Sequence, residues 1–186
     1  MTSLEEMRKR YEMNELNSSD LLESPTEMFR FWFEKIEESE YFEPNAAILS
    51  TSTKKGKPSS RTVLVKEYSE KGFVFYTNYK SKKAQEIEVN PYASLIFYWP
   101  TFERQIRIQG KIRKVSRNKS EKYFHSRPIL SQISVLASQQ SKKLENREEL
   151  EMKVKKLEKM YDGKEIPLPD YWGGYILEHR NVEFWQ

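Results

Sequence analysis

The apolar positions of this chain change period along its length, and each change predicts where one kind of element gives way to another. The segment SPTEMFRFWFEKIEESE carries Met28, Phe31, Trp32 and Ile36 at helical spacing, with Ser24 as candidate N-cap, Pro25 at the first helical position and Glu27 at the third. That predicts an amphipathic helix. A β-rich stretch follows. NAAILSTS and SSRTVLVKEY flank the turn-like TKKGKP, EKG leads into FVFYTN, and YASLIFYW follows. In ERQIRIQGKIRKVS, Ile106, Ile108 and Ile112 share one face while Arg107, Lys111 and Arg113 share the other. Gly110 interrupts the alternation and predicts a bulge or bend.

Helical spacing returns four more times. SKKAQEIEVNP reads as a short helix stopped before Pro91, and NKSEKYFHSRP and SQISVLAS as two more segments. A charged helix follows near 145–161 with Leu150, Val154, Leu157 and Tyr161 as its inner stripe. IPLPDYWGGYILEHRNVEFWQ closes with strand-like segments. Residues 1–24 are polar and predict an irregular or partly helical arm in front of a single domain over 25–186. Five or six strands in sequence, with helices collected around them, predict an α+β protein built on a small antiparallel barrel.

Inside that pattern RTVLVK poses a problem. In a strand Arg61, Val63 and Val65 share one side while Thr62, Leu64 and Lys66 share the other. Both faces are apolar in the middle and each carries a cation at one end. An unpaired buried cation costs several kcal/mol, so each head must reach solvent, a carboxylate or an anionic ligand.

Composition narrows the classes. The 186 residues are 37% hydrophobic and 13% aromatic, enough for one real core. Thirty-two basic against 28 acidic side chains leave a net charge of only +4, too little to indicate a nucleic-acid binder. Cysteine is absent, which removes disulfides, thiol nucleophiles and zinc–thiolate sites. Two histidines, His125 and His179, without an acidic cluster at ligand spacing argue against a metal site. No signal-like or membrane-length apolar run is present, so a soluble, cytoplasmic protein with no membrane or nucleic-acid partner is expected. Hydrolase, P-loop and dinucleotide fingerprints are missing as well.

What remains is cations and hydroxyls at element ends. In YTNYKSKK, Tyr76, Thr77, Ser81, Lys82 and Lys83 stand where a strand hands over to a helix, whose free N–H groups suit a phosphate; a solvated lysine-rich helix start is the alternative. In KYFHSRPILSQ, Tyr123 and Arg127 are helix-face neighbours and Ser131 could cap the next helix, a set that suits an anion or an ordinary surface turn. The amides and hydroxyl of ASQQSKK could bond a planar heterocycle or simply water. Trp172 and Trp185 fit core positions as well as ligand contacts.

Taken in order, RKRY, PSSRTVLVKEY, GFVFYTNYKSKKAQEI, NPYASLIFYW, ERQIRIQG, YFHSRP, SQQS, PDYWGGY and EFWQ resemble the pyridoxamine 5′-phosphate oxidase family over almost the whole chain. The resemblance implies an antiparallel, Greek-key, FMN-binding split β-barrel with flanking helices, acting as a homodimer with flavin at the interface. It implies oxidation of pyridoxamine and pyridoxine 5′-phosphates to pyridoxal 5′-phosphate, with O2 reduced to H2O2. A non-catalytic split-barrel binder of flavin or a B6 phosphate is the alternative.

Carried over by position, the flavin residues are Arg61, Thr62, Val63, Leu64, Val65, Lys66, Tyr76, Thr77, Lys82, Lys83, Gln105, Gln140, Ser141 and Trp185, with Arg61 reaching the flavin phosphate. The substrate residues are Lys66, Tyr123, Arg127 and Ser131, with Arg8, Lys9, Arg10 and Tyr11 as a lid in the arm. The two cations of RTVLVK would then serve two phosphates. The family pattern continues beyond Gln186, the last residue of EFWQ, into a segment ending R-L-H-D-R, whose Arg and His flank the reacting carbon. No catalytic residue is therefore assigned up to Gln186, and weaker flavin binding and turnover are expected of this chain than of a form carrying that segment.

Overall fold

A computed structural model describes residues 3–6, 12–13 and 15–186. Six strands close into an antiparallel barrel: β1 (Ala46–Ser52), β2 (Pro58–Ser69), β3 (Gly72–Asn78), β4 (Tyr92–Trp99), β5 (Arg104–Lys114) and β6 (Trp172–Trp185), in the order β1-β2-β3-β6-β5-β4. The chain meanders through β1, β2 and β3, then returns through α2 (Lys82–Val89) to lay β4 beside β1, which is the Greek-key connection. Closure leaves no free sheet edge. The remaining helices are α1 (Pro25–Glu37), α3 (Arg117–Ser126), α4 (Ile129–Ala137) and α5 (Arg147–Met160). The last strand is one continuous run of 14 residues rather than several short segments.

Alternation builds the barrel core. On β5, Ile106, Ile108 and Ile112 are buried while Arg107, Lys111 and Arg113 are exposed. The register of β5 on β6 shifts between Gln109 and Gly110, and a Cβ at Gly110 would collide with the Glu178 carbonyl, so the bulge requires glycine there. Helix α1 plugs the barrel. Ser24 caps it by accepting from the Glu27 N–H, and Phe29 meets the edges of Tyr68, Phe73 and Phe97 at centroid distances of 4.7, 4.9 and 5.0 Å.

The inner face of α1 differs from the predicted one. Met28, Phe29, Trp32 and Ile36 are buried, whereas Phe31 is exposed beneath the Lys35 ammonium. At 100° per residue Phe29 falls just past the edge of the arc set by Met28, Trp32 and Ile36, whereas Phe31 lies well beyond its other edge. A second apolar cluster forms outside the barrel. Phe124, Ile133, Val135, Ile166, Leu168 and Trp172 are its buried members, and Leu150 of α5 has no place among them, while Val154, Leu157 and Tyr161 pack against it half-buried. This cluster holds α3 and α4 against the start of β6 and so fixes one wall of the site.

Candidate functional site

The cleft opens between the outer face of β2, the end of β3, and α3 and α4. Its cavity, about 380 Å³, is lined on the strand side by Thr62, Leu64, Lys66, Tyr76 and Thr77, and across from them by Tyr123, Arg127, Ser134 and Gln140. Alternation explains the strand side. Val63 and Val65 turn into the core, which leaves the even-numbered residues of RTVLVK facing out. The register of β2 on β3 shifts between Val65 and Glu67, so Lys66 stands at a bulge and is exposed at the rim.

The two cations of that strand end differently. Arg61 points to the core side, where its guanidinium donates to Thr51 Oγ1 and Ser59 Oγ and lies 3.4 Å from Glu86 Oε2. Thr51 and Ser59 in turn donate to the same carboxylate, the latter at 2.6 Å. Glu86 is only 5% exposed. Burial alone would raise its carboxyl, but hydrogen bonds from Ser59, Thr51 and Arg61 outweigh that and hold it below the usual carboxylate range. Arg61 has thus met a carboxylate, and Lys66 has met the cleft.

Lys83 is the buried cation. It sits in the first turn of α2, 6% exposed, and its ammonium donates to Thr77 Oγ1 at 3.1 Å and Gln140 Oε1 at 3.3 Å. No ion pair joins it to a carboxylate among the described residues. Burial first, and the neighbouring Arg61 second, lower its amine to about 8. The adjacent Ser81 hydroxyl is buried at the N-cap of α2 without a hydrogen-bond partner, since the cap makes no side-chain bond. Gln140 closes this corner, accepting from Thr77, Lys83 and, at 3.4 Å, the Asn78 N–H.

The opposite corner is aromatic and cationic. Tyr76, Tyr123 and Trp172 lie nearly parallel, with Tyr76 and Tyr123 centroids 3.9 Å apart and the Tyr123 and Trp172 planes within 4°. Arg127 leaves the end of α3 and places its guanidinium 5.0 Å over the Trp172 ring. Its Nη1 is buried and unpartnered, and desolvation lowers the pKa of the group despite the nearby Tyr123. Burial, then Glu67, pushes the Tyr76 hydroxyl up to about 12, so both phenols stay protonated and able to donate. A phosphate supplies what both corners lack: negative charge and acceptors for Lys83, Ser81 and Arg127. The donor set fits a phosphate-bearing cofactor and a phosphate-bearing substrate.

Of the residues singled out by sequence, Thr62, Val63, Leu64, Lys66, Tyr76, Thr77, Lys83, Gln140, Tyr123 and Arg127 line this cleft. Others lie elsewhere. Val65 is in the core, Lys82 is exposed beside Glu86, and Ser141 lines a neighbouring cavity with Lys142 and Lys143. Ser131 does not cap α4. Pro128 holds that position, and the Ser131 N–H donates to the Pro128 carbonyl within the first turn. Gln105 and Trp185 pair with each other across β5 and β6, and β6 runs 14 residues, roughly 40 Å of strand, from Trp172 to Trp185. Gln186 follows at that same far end of β6. It is half-buried, its Nε2 is enclosed without a hydrogen-bond partner, and it is not among the residues lining the cleft. Arg8, Lys9, Arg10 and Tyr11 lie outside the described residues.

Trp172, Glu86, Asn78, Ser134 and Ser138 were not singled out for this site. Trp172 had a signal in PDYWGGY, where two glycines follow a tryptophan. A Cβ at Gly174 would sit 2.8 Å from the Tyr76 ring, so the stack rests on bare β6 backbone. Glu86 lies in the helix of SKKAQEIEVNP, where spacing gives no sign of its Arg61 partner.

Fold and cleft together define an antiparallel split-barrel protein. The pyridoxamine 5′-phosphate oxidase family matches residues 34–161, and the chain belongs to that family. A pyridoxine/pyridoxamine 5′-phosphate oxidase of Leptospira interrogans is 46% identical over 183 residues, covering 98% of this chain and 86% of the relative. That of Paraburkholderia phytofirmans is 45% identical over 186 residues, covering 100% of this chain and 87% of the relative. Among solved structures, PhzG from Burkholderia lata 383 in complex with tetrahydrophenazine-1-carboxylic acid superposes with a TM-score of 0.85 at 29% identity, covering 90% of this chain and 82% of that one. An FMN-binding protein of Nostoc punctiforme, at TM-score 0.66 and 16% identity over 87% of this chain and 83% of that one, shares the fold.

Proposed function

We propose that this protein is an FMN-dependent oxidase of pyridoxamine and pyridoxine 5′-phosphates, producing pyridoxal 5′-phosphate. The observation that carries this reading is the pair of cationic corners in one cleft, Lys83 at one end and Arg127 at the other, neither ion-paired to a described carboxylate. Two anion subsites in a single cavity suit two phosphorylated ligands side by side. In this reading Lys83, Ser81 and Thr77 hold the FMN phosphate, Gln140 orients them, and the exposed edge of Thr62–Leu64 faces the flavin ring. Arg127, Lys66 and the Tyr123 hydroxyl hold the substrate phosphate. When bound, FMN supplies the two-electron redox chemistry, with dioxygen as the final acceptor and hydrogen peroxide as product. The side chains contribute position and charge rather than a strong base.

The reading includes a homodimer. Gln105 and Trp185 are flavin residues by resemblance, yet they sit at the far end of β6 from the cleft, so a second copy would bring them to it. The outer barrel face offers a surface for that contact: Ile48 is 42% and Tyr98 53% exposed, and strand register sets Ile48 beside both Ile96 and Thr62.

The test is an aerobic assay of FMN-loaded protein with pyridoxamine 5′-phosphate, following pyridoxal 5′-phosphate and peroxide. Formation of both in equal amounts is expected. Bound flavin and bound substrate without product would favour the alternative, a binding protein without turnover.

A further inference from the structure

We propose that Trp172 is a positioning residue for the substrate phosphate, acting through Arg127. This inference rests on the reading of the cleft given above. It starts from how Arg127 is held. The residue is the C-cap of α3 in an extended conformation, followed by Pro128, so its side chain leaves the helix with no turn beneath it. Its carbonyl is pinned by Gln132 Nε2 at 2.8 Å, which fixes the backbone. The guanidinium has no ion pair among the described residues; what lies under it is the Trp172 ring face. A guanidinium over an indole is attracted by the ring quadrupole, more so where water is excluded.

Trp172 is itself rigidly placed. It pairs with Asn78 in the β3–β6 register, meets Phe124 edge-on at 5.4 Å, and is nine-tenths buried among apolar side chains. The same ring lies parallel to Tyr123 and Tyr76, so one side chain orders the cation and stands with both phenols facing the subsite. The next residue in register, Gly173, pairs with Thr77 of the Lys83 corner. Trp172 therefore ties the geometry of one anion subsite to that of the other.

The experiment measures equilibrium binding of the product pyridoxal 5′-phosphate and of pyridoxal to FMN-loaded protein, read from the flavin absorbance, in the parent, Trp172→Leu, Trp172→Phe, Arg127→Leu and the Trp172→Leu/Arg127→Leu double variant. The parent should prefer the phosphorylated ligand. Trp172→Leu should cut that preference roughly 3- to 30-fold. Trp172→Phe, which keeps a ring with a weaker quadrupole, should lose roughly 3-fold or less but measurably. In the Arg127→Leu background, Trp172→Leu should change the preference less than twofold, because the group it positions is gone. Equal weakening of both ligands by Trp172→Leu would make Trp172 a packing residue and overturn the inference. So would a cut by Trp172→Leu in the Arg127→Leu background as large as the one in the parent. If Trp172→Leu does not fold, an unchanged preference in Trp172→Phe overturns it. A parent protein with no preference for the phosphate refutes the B6-phosphate reading itself, and the inference with it.

Discussion

Replacing Glu86 by Gln keeps the shape of the Arg61 network and removes its only negative charge. In the parent, one buried carboxylate accepts from Thr51, Ser59 and Arg61 at the junction of β1, β2 and α2. Removing one partner of a buried ion pair costs about 3–5 kcal/mol, because the other charge is left uncompensated. Arg61 keeps its two hydroxyl partners and some access to water, its side chain being 20% exposed, so about 2–4 kcal/mol is the expected loss. For a chain of this size that lowers the thermal midpoint by roughly 4–15 °C. The difference should depend on pH. The Glu86 carboxyl is held below its unfolded value, so its contribution is complete above the ordinary carboxylate range and disappears as pH falls through its lower folded value. Thermal melts of the parent, Glu86→Gln, Arg61→Met and the double variant at pH 7 and at pH 3–4 check both points. The double variant should lose less than the sum of the singles. Strict additivity, or a midpoint within a degree of the parent for Glu86→Gln, would refute the claim that this carboxylate neutralises Arg61.

Three further outcomes follow from the cleft. FMN affinity should fall as pH rises above about 8, because the free Lys83 ammonium deprotonates there while the phosphate-bound form holds its proton; a Lys83→Met variant should bind weakly at all pH values without that fall, as flavin titrations would show. Arg127→Leu should weaken the product pyridoxal 5′-phosphate by about ten- to a hundredfold, one charge-assisted hydrogen bond, while leaving FMN content unchanged, as equilibrium dialysis would show. Gly174→Ala should displace the Tyr76 ring and lower affinity for both ligands, visible in the same titrations.

The barrel was legible because its signal is local. β1 to β4 are short apolar runs bounded by turn residues, β5 carries a clean alternation, and the bulge at Gly110 interrupts a run whose period is otherwise clear. The face of α1 was harder, since FRFWF is apolar nearly all round and only the barrel mouth decides that Phe29 goes in and Phe31 stays out. The cleft was legible where cations and hydroxyls cluster at element ends, as at Thr77, Lys83, Tyr123 and Arg127. Partnerships across elements were not. Glu86 meets Arg61 over a separation of 25 residues, and Trp172 reaches Arg127 over 45, distances at which spacing carries no information. Gln105 and Trp185 illustrate the same limit: their mutual pairing follows from strand register, but one chain does not bring them to the cleft.

At one end of the cleft is the buried cation Lys83, which lacks a described carboxylate partner and which, in the function proposed, a flavin phosphate completes. Calorimetric titration of the flavin-free protein with FMN and with riboflavin, which differ only by that phosphate, tests this most directly. With Lys83 and the Ser81 and Thr77 hydroxyls engaged, FMN should bind at least about a hundredfold more tightly than riboflavin. Equal affinity for the two would contradict the account.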